Sequence, residues 1–183
     1  VLTRLFSLQG SVHQSTARTV FGDVFEPLLD AHILRLTNNS VSALIEIRPY
    51  GDESHDWWVL SDLTPGMNGI PSPVRPDFVL GISEASSSLA RLAARKPINR
   101  ALDLGTGCGV QALHLSTHAL QVVATDVNDR ALTLAALTAE LNQVEIEFGH
   151  GSLYEPVSGK FDLIVTNPPF VVSPIEGERL VYR

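Results

Sequence analysis

Asp103-Leu104-Gly105-Thr106-Gly107-Cys108-Gly109 decides how the rest of this 183-residue chain is read. The run follows a short apolar strand, Arg100–Leu104, and opens a helical pattern from Val110 to His118. Glycines at alternate positions let the backbone turn tightly and let a ligand approach with no Cβ in the way. Val110 stands where the dinucleotide fingerprint G-x-G-x-x-G would want its last small residue, so the loop is less suited to a pyrophosphate. Asp126 closes the next strand, Gln121–Thr125, and lies 21 residues after Gly105. A carboxylate there can accept hydrogen bonds from two ribose hydroxyls, and Asp103 can pair with a cationic group. The plainer alternative is a tight strand–helix turn with Asp126 as an N-cap; three glycines and two acids in register speak against it.

Outward from this loop, strands and helices alternate. Ser83 is an N-cap candidate for a helix running to Arg95, and Asp129–Asn142 forms the next helix. Val144–Phe148 and Phe161–Val165 supply two further strands. The alternation predicts an α/β, Rossmann-like parallel sheet with helices on both faces, truncated after its fourth strand. The link between Phe148 and Phe161 is too short and turn-rich for a long crossover helix. A chain that begins at Val1 and ends soon after that strand is expected to be part of a longer protein.

Asn167-Pro168-Pro169-Phe170 falls at the C-terminal end of the fourth strand, where ligands sit in open α/β sheets. The prolines stop the ladder and fix the Asn167 side chain and the Pro168 carbonyl. Those two acceptors converge on a point that an NH₂ group could occupy. Phe170 offers a face on which a flat base or amide can stack.

On the N-terminal side, residues 1–63 read as a small helix-plus-hairpin domain and 64–76, with four prolines, as a linker. Residues 77–183 form the incomplete α/β domain. Phe25–Leu36 has helical spacing, Val41–Arg48 reads as a strand, Pro49–Asp56 as a turn, and Trp57–Leu60 starts a second strand. Such a unit is either winged-helix-like and touches nucleic acid, or simply supports the α/β domain. The lack of a basic stripe favours support. Residues 1–96 carry 8 basic and 10 acidic side chains, residues 97–183 carry 5 and 10, and the net charge is −7. That balance argues against bulk-charge binding of nucleic acid. No apolar stretch reaches the ~20 residues of a membrane span. A single cysteine excludes a disulfide framework and makes a reducing cytoplasm the expected compartment.

Together these residues resemble the class I S-adenosylmethionine-dependent methyltransferases, in the "methyltransferase small" N-methylating branch. That branch includes release-factor glutamine, ribosomal-RNA guanine-N2 and tRNA adenine-N6 methyltransferases. Leu102–Gly109 resembles the family's first motif, Asp126 its ribose-binding acid, and Ile164–Phe170 its amino-methyltransferase signature. The resemblance implies S-adenosyl-L-methionine as cofactor, held by Asp103, Gly105, Thr106, Gly107, Gly109, Asp126, Val127, Ser152 and Leu153. Asn167, Pro168 and Phe170 would serve the target nitrogen. Pro73–Gly81 is similar to the segment that covers the cofactor. Ser152 stands where the family usually has an Asp near the adenine, and the last three strands of the family's seven have no counterpart before Arg183.

The implied partner is a macromolecule: ribosomal RNA, tRNA or a release factor. His114 and His118 are four apart on one helix, but H-E-x-x-H is absent and no metal is expected. Cys108 has no visible activating partner. Two rival readings remain: a nucleic-acid-binding protein with a non-catalytic cofactor fold, and a nicotinamide-dependent Rossmann enzyme.

Overall fold

The computed structural model describes residues 1–67 and 74–168. Its C-terminal part is a four-stranded sheet built from β6 (Ile98–Leu104), β7 (Ala119–Asp126), β8 (Glu147–His150) and β9 (Leu163–Thr166). The order is β8-β7-β6-β9 and every pair is parallel. β6 is central, and Ala101 to Leu104 are all buried, as expected of a strand covered on both faces. Helices α3 (Glu84–Leu92), α4 (Val110–Ser116) and α5 (Asp129–Leu141) complete the α/β pattern. Ser83 caps α3 through a reciprocal capping box with Ser86. The α5 cap is Asn128, whose side chain accepts from the Arg130 N–H, rather than Asp126.

Two expectations shift in this half. The third strand begins at Glu147 instead of Val144, because Gln143 turns with φ 56° and the Val144 N–H closes onto Ala139 O at 3.0 Å. Helix α3 ends at Leu92 rather than Arg95, as Ala93 has extended backbone.

The N-terminal part holds β1 (Ser11–His13), α1 (Gln14–Phe21), α2 (Phe25–Asp30), β2 (Leu34–Thr37), β3 (Ser40–Ala43), β4 (Ile45–Gly51) and β5 (Asp56–Asp62). The first three strands form an antiparallel sheet ordered β1-β3-β2, and β4 pairs only with β5. The helix expected over Phe25–Leu36 stops at Asp30; His32 turns with φ 55°, and Leu34 re-enters as a strand residue. Leu34 and Leu36 satisfied both periodicities, and pairing with β3 chose the strand. The strand expected over Val41–Arg48 is two strands in two sheets, broken at Leu44. Trp57 is buried and its neighbour Trp58 is half exposed, as strand alternation requires.

One core joins the two parts. Leu5, Phe25, Val41 and Val59 belong to the same buried cluster as Val110, Leu113 and Leu134. The outer edge of β5 is closed by α5: Thr138 Oγ1 accepts from the Leu60 N–H at 3.0 Å, and the Asn142 amide takes both the N–H and the C=O of Trp58, at 2.9 and 2.7 Å. Side chains four apart on a helix thereby replace a neighbouring strand, satisfying an edge that would otherwise be open to pairing. Tyr50 of β4 reaches His114 of α4, with 2.8 Å between the phenol oxygen and Nε2. Among the described residues no helix is long and apolar enough to cross a membrane.

Candidate cofactor and methyl-acceptor site

At the C-terminal ends of β6, β7 and β9 lies a cleft of about 570 Å³. The glycine loop forms one of its walls. The Gly105 and Thr106 N–H groups both donate to Thr125 O, at 2.8 and 2.9 Å, pulling the loop back onto β7. Gly107 has φ 57°, and its N–H donates to Asp126 Oδ2 at 3.0 Å. A side chain at Gly105 or Gly107 would project into open space, so these positions are bare where a ligand can approach. Gly109 has a different reason: with φ 87°, its Cβ would meet Ala135 of α5 at 3.3 Å.

Asp126 is half buried on the cleft wall. Its second oxygen accepts from the Asn128 N–H at 2.9 Å, leaving lone pairs on both oxygens directed to further donors. Asp103 lies behind the loop rather than on the wall. Its Oδ2 accepts from Thr106 Oγ1 at 2.7 Å and from the Ala112 N–H at 3.0 Å, tying the loop to the start of α4. Its Oδ1 is buried with no partner among the described residues. Burial pushes the Asp103 carboxyl up to about 7, against the pull of Thr106 and Ala112. The Cys108 thiol is likewise pushed up by burial, to about 12, and is inert.

Asn167 and Pro168 line the same cleft as Gly105, Gly107 and Asp126. The Thr166 hydroxyl donates to Leu104 O at 2.8 Å and fixes the end of β9 beside the loop. Val127, Ser152 and Leu153 also line the cleft, Val127 and Leu153 as exposed apolar side chains. Leu153 has φ 49°, a strained backbone for a leucine. The Ser152 N–H is taken by Glu155 at 3.0 Å. Of the expected site residues, the cleft gathers Gly105, Thr106, Gly107, Asp126, Val127, Ser152, Leu153, Asn167 and Pro168. Asp103 and Gly109 support it from outside the wall, and Phe170 lies outside the described residues.

Sequence reasoning missed Gln111 and Asn128, both on the wall. Gln111 is buried, and its amide donates to Ser86 O at 2.7 Å, linking α4 to α3. A buried glutamine at the second position of an apolar helix was the available signal. Phe78–Gly81 also lines the cleft.

The family model of the methyltransferase small domain matches residues 81–181. The chain belongs to that family. A release factor glutamine methyltransferase of Haemophilus influenzae is 35% identical over 108 residues, covering 53% of this chain and 37% of the relative. A second, from Buchnera aphidicola, is 29% identical over 153 residues, covering 80% of this chain and 50% of the relative. The chain thus spans half or less of these relatives. A 16S rRNA N2-guanine methyltransferase of T. thermophilus, solved with AdoMet and guanosine, superposes with a TM-score of 0.56 at 18% identity. It covers 90% of this methyltransferase small domain chain and 47% of its own, so the shared fold includes the N-terminal part.

Among the described residues no cluster of three His, Cys, Asp or Glu side chains is placed to hold a metal. His114 is instead buried beneath Trp57, with ring centroids 4.9 Å apart, and burial holds it down to about 4.

Proposed function

We propose that this chain is the S-adenosylmethionine-binding part of an N-methyltransferase acting on an amide or exocyclic amine of a macromolecule, with a protein glutamine amide as the favoured acceptor. The observation that carries the proposal is the shared cleft: Asn167 and Pro168 stand on one rim with the bare glycines and Asp126. The lining fits the cofactor. Asp126 is the lone charged side chain among the described lining residues, an environment suited to a cationic ligand and unsuited to a pyrophosphate. The exposed Val127 and Leu153 would cover the adenine, Asp126 would take the ribose, and Gly105 and Gly107 would admit the methionine end.

S-adenosylmethionine supplies a methyl group already made electrophilic by its sulfonium. The chain's own task is then positioning, which is worth several kcal/mol when reacting atoms are held at about 3 Å. The Asn167 side-chain oxygen and the Pro168 carbonyl would accept the two N–H bonds of the acceptor. This fixes the direction of the nitrogen lone pair and raises its electron density. The proton shed after transfer can leave to water, so no strong general base is required. Glutamine is favoured because the curated relatives that match this chain are release factor glutamine methyltransferases. The compartment most consistent with such a substrate is the cytoplasm.

Transfer of labelled methyl to a release factor and to ribosomal RNA tests the reading. Asn167→Ala should lower turnover at least a hundredfold while cofactor affinity stays within twofold. Full turnover in that variant would remove Asn167 from the chemistry, and labelling of RNA alone would replace the acceptor.

A further inference from the structure

We infer that Asp62 and Arg130 are positioning residues for the cofactor, and that through them the N-terminal hairpin is thermodynamically linked to cofactor affinity; the inference rests on the reading of the cleft proposed above. The strip Phe78–Gly81 forms one wall of the cleft yet belongs to no helix or strand. Its backbone is held from outside. The Val79 N–H donates to Asp62 Oδ2 at 2.8 Å, and Val79 O accepts from the Asp62 N–H at 3.1 Å. The end of β5 therefore grips one wall residue in both directions.

The grip is itself oriented. Arg130 Nε donates to both Asp62 oxygens at 3.0 Å, and its Nη2 donates to Oδ1. Asp62 is buried, so this guanidinium fork fixes its carboxylate and keeps the buried charge compensated. The residue before the strip is held as well, since Asn128 Nδ2 donates to Asp77 O at 3.0 Å. At its other end Gly81 runs so close to β5 that a Cβ there would lie only 2.7 Å from Ser61 Oγ. Asn128 and Arg130 follow directly after Asp126 and Val127. The turn that would hold the nucleoside is thus tied to the Phe78–Gly81 part of the lining, with β5 as the anchor.

A purely structural ion pair would affect melting alone. A positioning pair must also alter ligand affinity, and by linkage the ligand must in turn stabilise β5. Calorimetric titration of the chain with S-adenosylhomocysteine, the stable demethylated donor, separates the two. Asp62→Ala should weaken binding about tenfold. Asp62→Asn should recover about threefold, because its carbonyl oxygen can still accept from Val79. Arg130→Met, which leaves the Val79 bond in place, should weaken binding about fivefold. In hydrogen exchange, the ligand should slow the amides of Asp56–Asp62 in the wild type and leave them unprotected in Asp62→Ala. Wild-type binding with Arg130→Met and any folded Asp62 variant within twofold, or with β5 equally protected in the variants, overturns the linkage and leaves the cleft reading standing. A wild-type chain that binds no S-adenosylhomocysteine overturns both.

Discussion

The glycine-loop wall of the cleft is shaped by hydrogen bonds between residues 3, 9 and 19 apart in sequence: Thr106 to Asp103, Ala112 to Asp103 and Gly107 to Asp126. The Phe78–Gly81 wall and its anchor are shaped by bonds spanning 17, 51 and 68 residues: Val79 to Asp62, Asn128 to Asp77 and Arg130 to Asp62. One wall is made by β6, the loop, α4 and the end of the adjacent β7. The other exists only when β5, the strip and α5 have assembled. On the proposed reading, the first wall would carry the chemistry of recognition, and the second would let the rest of the molecule adjust how tightly the ligand is enclosed.

The sharpest way to break the local wall is at Gly109. Gly109→Val combines a positive φ with contact against Ala135 and should cost roughly 3–4 kcal/mol in urea unfolding. Gly105→Ala, with open space around it, should lose only about 1–2 kcal/mol. Equal losses would mean that helix packing at Gly109 is not what the loop depends on.

Next in size is the ligand response. Asp126→Ala removes the proposed ribose acceptor and the partner of the Gly107 N–H, and should weaken S-adenosylhomocysteine about a hundredfold by calorimetry. That loss should exceed the effect of Asp62→Ala. The reverse order would make the non-local wall the principal one.

The smallest effect compares two buried titrating groups, Asp103 behind the loop and His114 against the hairpin. His114, held down to about 4, stabilises the fold above its ordinary value of about 6.5, and that contribution is lost as pH falls toward 4. Asp103, raised to about 7, favours the fold most below about 3.8, and that contribution is lost as pH rises to 7. Between about pH 4 and 6.5 the two slopes oppose and nearly cancel. Asp103→Asn should unmask His114, so that stability falls with falling pH by up to about 1.4 kcal/mol per unit. His114→Gln should reverse the slope. Thermal melts across this range check both, and parallel curves for the two variants would show that neither group titrates as its burial requires.

The parallel sheet, the loop and the end of β9 before Asn167 were legible because each is signalled within a few residues. Glycines mark the turn, short apolar runs mark buried strands, and Asn-Pro marks a strand end. The N-terminal part was legible only in its hairpin. Leu34 and Leu36 fit either periodicity, and the break at Leu44 depends on which sheet each half joins. Short β1 and α1 carry too few residues for a periodic signal. In the site, Gly105, Gly107, Asp126 and Asn167 could be placed by spacing alone. Asp62 and Arg130 could not, since nothing local announces a pair 68 residues apart.

Helix α5 works as a measuring rod. Asn128 and Arg130 meet Asp77 and Asp62 at its beginning, while Thr138 and Asn142 mimic a strand at its far end, roughly 18 Å along the axis at 1.5 Å per residue. A single inserted or deleted residue between them would rotate one end by about 100° relative to the other. Point substitutions on the solvent face of α5 should therefore be freely exchanged during evolution, whereas its length should not vary.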